Sequence, residues 1–140
     1  MIKLSEDRLS VAEYLELRRQ VGWKRLTERQ AELALENCIY SLSAYDDGKL
    51  IGMARVVGDG AVVCYIQDLI VLPEYQGRRV GSALMKHIIS FVESLKTGDE
   101  EIMLCLMCAK GREGFYLKHG FTARPTDTLG PGMIRYLKNV

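Results

Sequence analysis

Apolar positions recur first with a helical period and then with period two, so a helical opening precedes a stranded middle. Val11, Tyr14, Leu15 and Arg18 fall on one face of a predicted helix that runs to about Val21 and stops at Gly22. Ser10-Val11-Ala12-Glu13 reads as a capping box for its start, the serine capping an N–H and the glutamate reaching back. Thr27-Glu28-Arg29-Gln30 repeats the device, and Ala31, Ala34, Leu35 and Cys38 give the second helix its apolar face. Before both, Ile2 to Leu4 alternates briefly, as a first strand would.

From Tyr40 the period is two: Tyr40, Leu42 and Ala44 alternate with Ser41, Ser43 and Tyr45. Asp46-Asp47-Gly48 predicts a hairpin turn into a strand over Lys49 to Val57. After Gly58-Asp59-Gly60 a longer strand is expected over Ala61 to Leu72, stopped by Pro73. Val80, Leu84, Ile88, Val92 and Leu95 then mark an amphipathic helix. The continuous apolar run from Ile102 to Cys108 reads as a central strand buried on both faces. Phe115 to His119 reads as a short helix closed by Gly120, and Phe121 to Arg124 and Met133 to Leu137 as two last strands. This order predicts one α/β (α+β) domain over residues 1–140, with a mixed sheet of about seven strands and about four helices.

Composition narrows the partners. The 140 residues are 48% hydrophobic and 26% charged, values of an ordinary globular domain. Nineteen Lys plus Arg against eighteen Asp plus Glu leave a net charge of +1, which argues against a bulk polyanion partner, nucleic acid or membrane. The longest apolar run, Ile102 to Ala109, is too short to span a bilayer, and the acidic start lacks a signal peptide's apolar stretch. Cys38, Cys64, Cys105 and Cys108 lie among apolar neighbours; Cys105 and Cys108 form a C-x-x-C, but on the strand expected there they would point to opposite faces, and His87 and His119 show no metal-ligand spacing to each other or to any cysteine. The expectation is a reduced, cytoplasmic protein without a metal site.

The neutral total hides a local surplus: Gln76 to Val92 carries Arg78, Arg79 and Lys86 and no acid. There a strand ending at Leu72-Pro73 leads through a Gly-rich, doubly basic turn into a helix. The unpaired N–H groups and partial positive charge of a helix start suit a phosphate. Gly77 and Gly81 would let the backbone come close, and Arg78 and Arg79 add charged donors. Neither G-x-x-x-x-G-K-[ST] nor G-x-G-x-x-G is present.

Gln76-Gly77-Arg78-Arg79-Val80-Gly81, preceded by Asp68-Leu69-Ile70-Val71-Leu72-Pro73, resembles the [RQ]-x-x-G-x-[GA] motif of the GCN5-related N-acetyltransferases, with Arg79 at the middle glycine. Phe115-Tyr116-Leu117-Lys118-His119-Gly120-Phe121 is similar to that family's second motif, Y-x-K-x-G-F. The resemblance implies acetyl-CoA as co-substrate, its pyrophosphate on the amides of Gln76, Gly77, Arg78, Arg79, Val80, Gly81 and Ser82. It implies the pantetheine arm along Leu69, Ile70 and Val71, with the Leu69 amide facing the thioester oxygen. It also implies direct attack by a primary amine of a small molecule or peptide, with Tyr116 protonating the leaving thiolate.

Asp68 is the candidate base, directly or through water; the other reading makes it a structural acceptor. An ammonium of pKa about 10.4 is almost wholly protonated at neutral pH, so a base or a desolvating pocket is useful. The acceptor is expected beside the first two helices and the Trp23 loop, with Tyr14, Tyr40 and Tyr65 as aromatic walls or as packing. A homodimer is compatible with the resemblance. The competing reading is a CoA-sensing module of the same fold with little catalysis.

Overall fold

The computed structural model describes residues 1–139. The chain divides into two compact units, Met1–Leu106 and Met107–Val140. The first carries β1 (Ile2–Ser5), α1 (Val11–Gln20), α2 (Glu28–Asn37), β2 (Tyr40–Asp46), β3 (Lys49–Gly58), β4 (Val63–Ile66), β5 (Ile70–Val71), α3 (Val80–Ser94) and β6 (Met103–Leu106). A single 3-10 turn, Pro73–Tyr75, joins β5 to the loop before α3. The second unit carries α4 (Glu113–Lys118).

The capping boxes form as the sequence requires. The Ser10 hydroxyl accepts from the Glu13 amide while the Glu13 carboxylate accepts from the Ser10 amide, and Thr27 and Gln30 do the same for α2.

The sheet runs β1-β2-β3-β4-β6, with β5 also paired to β3. Every pairing is antiparallel except β4 with β6. Helices cover both faces of β3. Gly52 looks at Leu84 of α3. Arg55, three residues along and so on the opposite face, reaches the carbonyl of Ala34 in α2. Leu42, Ile51, Met53, Val56, Ile66, Ile70, Leu84 and Ile88 fill the core between these layers.

Three expectations are corrected. The strand expected over Ala61 to Leu72 is two strands. The register pairs Val56 with Ile66 and Met53 with Ile70, so residues 67–69 stand opposite only 54–55. That is a β-bulge with one extra residue. Second, the run after Ile102 is an edge strand: β6 pairs only with β4, and Met103 is 53% exposed. The apolar run thus fixed neither the burial of this strand nor the number of its neighbours. Third, six strands form among the described residues, against about seven expected: Phe121 to Arg124 and Met133 to Leu137 join no ladder, and the split strand adds one. Met133, Ile134, Tyr136 and Leu137 are exposed. Alternation makes a segment able to pair, but a strand needs a partner.

No helix among the described residues is long and apolar enough to cross a membrane. Of the cysteines, all free, only Cys64 is fully buried, and Cys108 is exposed.

Candidate functional site

The bulge opens the sheet. Ahead of it β4 is flanked by β3 and β6; beyond it β5 keeps β3 alone. The Leu72 amide donates to the Ile51 carbonyl at 2.9 Å. The alternation of an antiparallel ladder therefore turns the N–H and C=O of Val71 away from β3, while those of Ile70 face it. The Val71 carbonyl accepts from the Gln76 side chain at 3.1 Å, which ties the start of the loop to the open edge. Gly52 permits this arrangement, since a Cβ there would lie 2.8 Å from the Ile70 carbonyl oxygen.

The loop that follows is built to present backbone N–H groups. Gly77 (φ +80°) and Arg79 (φ +65°) both adopt the left-handed region. Single left-handed residues among right-handed ones form concave nests of N–H groups. Arg79 is the N-cap of α3 and makes no side-chain cap bond, and the first turn of α3 has no acid. A left-handed arginine costs roughly 1–2 kcal/mol more than glycine would. That steric cost explains why a glycine suits this position. Arg78 lies over the Tyr75 ring at 4.7 Å, and the Tyr75 hydroxyl donates to Asp46 at 2.7 Å. The β2–β3 turn thus braces the basic loop.

Asp68 sits in the bulge, wholly buried. One carboxylate oxygen accepts from Arg18 Nη1 at 3.0 Å. The other accepts from Arg55 Nε at 3.0 Å and from the Tyr14 hydroxyl. Arg18 Nη2 donates to the Lys24 carbonyl at 2.9 Å and Arg55 Nη1 to that of Ala34 at 3.1 Å. The Arg18 guanidinium also lies over the rings of Trp23 (5.4 Å) and Tyr14 (5.7 Å). Burial first, and then the Asp68 charge, push the Tyr14 phenol up to about 12. Tyr14 therefore stays a donor at any physiological pH.

The oxygens of Asp68 thus serve three donors, two of them cationic. Arg18 and Arg55 were not among the expected site residues. Their signal was an arginine on the apolar face of α1 and another inside the apolar stretch Met53-Ala54-Arg55-Val56. A charge at a core position implies a partner elsewhere in the chain. Tyr14 belongs to the network, and Tyr40 stacks on Phe91 with ring centroids 4.2 Å apart.

Tyr116 lies in the second unit, on α4. Its half-buried ring stands edge-on to Phe115 (5.1 Å) and Phe121 (5.9 Å). Burial and, after it, Cys108 raise its phenol above the ordinary value, against the opposing charge of Arg112. Its proton is therefore present at neutral pH.

Comparison with known proteins adds to this geometry. Residues 8–121 match the model of the acetyltransferase (GNAT) family. An uncharacterised ycf52-like N-acetyltransferase of Prochlorococcus marinus is 32% identical over 122 residues, 84% of this chain and 65% of the relative. The chain thus spans just under two thirds of that relative's length. A structure of a Staphylococcus aureus protein of unknown function, described as a probable acetyltransferase, superposes with a TM-score of 0.85. It is 34% identical, over 99% of this chain and 100% of that one. A GNAT-family protein of Streptococcus pneumoniae superposes with a TM-score of 0.80 at 29% identity, over 99% and 100% of the two chains.

Proposed function

The chain belongs to the acetyltransferase (GNAT) family, and on that premise we propose that it moves the acetyl group of acetyl-CoA to a primary amine of a small molecule or peptide, by direct attack in a ternary complex. The observation that carries this reading is the start of α3. An uncapped helix N-terminus, two left-handed loop residues and two arginines stand beside the open edge of β5. Acetyl-CoA supplies the activated thioester; the chain's own groups bind and orient.

The amides of Gly77 to Ser82 hold the pyrophosphate, with Gln76 fixing the loop to Val71 and Arg78 and Arg79 adding charge. The open edge of Leu69-Ile70-Val71 takes the pantetheine amides as a sheet takes an added strand, Val71 offering the outward groups and Ile70 anchoring to β3. The Leu69 amide faces the thioester oxygen and stabilises the charge that develops there. Holding both reactants in one place supplies the proximity contribution. Tyr116 gives its proton to the departing sulfur, an assignment supported by the motif Phe115 to Phe121 and by a phenol that stays protonated at neutral pH. Asp68 acts as a positioning residue for Arg18, Arg55 and Tyr14, and no residue of the network serves as base.

The family match runs from residue 8 to residue 121, through both units, which supports one acetyltransferase domain over the whole chain. Four free cysteines suit a reducing, cytoplasmic setting.

The test is a panel of amines with release of free CoA thiol as readout. Tyr116→Phe is expected to lower turnover about tenfold or more, the lower end of general acid catalysis or just below it, since a thiolate leaves readily. Acetyl-CoA affinity should stay nearly intact. Acetyl-CoA binding without thiol release for any amine would favour the CoA-sensing module instead.

A further inference from the structure

The Asp68 network is out of balance. Two guanidiniums, Arg18 and Arg55, share one carboxylate, and Tyr14 stays neutral. One positive charge in a nearly dry place is left without a counter-ion. The imbalance falls on Arg18. Arg55 is spoken for by Asp68 and the Ala34 carbonyl, deep against α2. Arg18 is 8% exposed, and its Nε–H is buried with no hydrogen-bond partner among the described residues. Buried donors are nearly always paired in native proteins, so an orphan on a charged group calls for a ligand.

The surroundings say where that ligand comes from. Arg18 bridges two places at once. Through Asp68 it touches the bulge, one residue before Leu69; through Nη2 it holds the carbonyl of Lys24 in the α1–α2 loop. Trp23 lies over the guanidinium, is itself 37% exposed, and sits between exposed Gly22 and Lys24. A side chain on an exposed loop is readily displaced, and an anion that displaces it reaches the one unpartnered donor of Arg18, Nε–H.

We propose that Arg18, lidded by Trp23, binds a carboxylate of the acceptor, so that the acceptor is an amino acid: an amine that carries its own carboxylate. The inference rests on the acetyltransferase reading only for the ligand's second end. Leu69, where that reading places the thioester, follows Asp68 directly in the chain, and Asp68 is the residue that Arg18 binds. A carboxylate there supplies the missing negative charge and accepts a charge-assisted hydrogen bond from Nε–H.

Trp23 is the only tryptophan, so its emission reports this spot alone. The full chain, with CoA present, is titrated with the common free amino acids, tryptophan excepted, each against its α-amide. The expected result is a saturable change in Trp23 emission with at least one amino acid, about tenfold or more tighter than with its amide. Arg18→Gln should abolish that preference, and Arg18→Lys should keep part of it by keeping the charge. No amino acid preferred over its amide, or a preference that survives in Arg18→Gln, overturns the proposal. Circular dichroism checks that both variants fold; if Arg18→Gln does not, the wild-type comparison and Arg18→Lys decide. Thiol release is measured in parallel. Acetylation of simple alkylamines without carboxylate preference ends this proposal and spares the transferase reading. Carboxylate preference without thiol release from any amine does the reverse.

Discussion

Helices α1 and α3 both begin with a turn of backbone N–H groups that the helix itself does not use, and the chain treats them in opposite ways. At α1, Ser10 and Glu13 close the end from within, and an acid complements the helix dipole. Helix α2 repeats this with Thr27 and Gln30, and with Glu28 in its first turn. At α3 the N-cap is a left-handed arginine that makes no cap bond, and no acid follows. The arginines divide the same way. Arg55 is buried against Asp68, whereas Arg78 and Arg79 are exposed in the loop before α3, where no acid lies between Gln76 and Val92. Positive potential satisfied inside the chain supports the fold. Positive potential left for an external anion supports binding.

The contrast can be broken first from its internal side. Asp68→Asn leaves two buried guanidiniums without their anion, and loss of one partner of a buried pair costs about 3–5 kcal/mol. Urea denaturation should show a loss of that size; a loss below about 1 kcal/mol would mean that the network does not hold the fold. Next, Arg79→Asp gives α3 the acid that α1 already has. It should weaken acetyl-CoA binding by about 10–100-fold in calorimetry, the range of one or two charge-assisted bonds, and leave stability equal or higher. Unchanged affinity would detach the α3 start from the phosphate. The smallest effect is expected from Ser10→Ala, about 1 kcal/mol in thermal unfolding with acetyl-CoA affinity untouched.

Local features were legible because local physics makes them. The two capping boxes, the face of α3 and the loop Gln76 to Gly81 each depend on residues within a turn or two of one another. The left-handed backbone at Arg79 is foreshadowed by the same logic, since the motif it resembles has glycine there. The break in the strand after Ile66 was not legible. Residues 63–72 are apolar enough to read as one strand, and the bulge exists only as a mismatch of count against β3.

What the sequence determined alone, then, is the set of helices, the hairpin and the Gly-rich basic loop before α3, because hydrogen bonds within a few residues and a repeating apolar face suffice for each. Tertiary structure decided the rest. It chose which strands found partners, leaving Phe121 to Arg124 and Met133 to Leu137 unpaired among the described residues. It also brought Tyr14 and Arg18, 54 and 50 positions away in the chain, onto Asp68. No local rule specifies a contact across that separation. Only the packing of α1 onto β3 removes water from the three side chains, and in that dry setting each hydrogen bond between them is stronger than it would be in water.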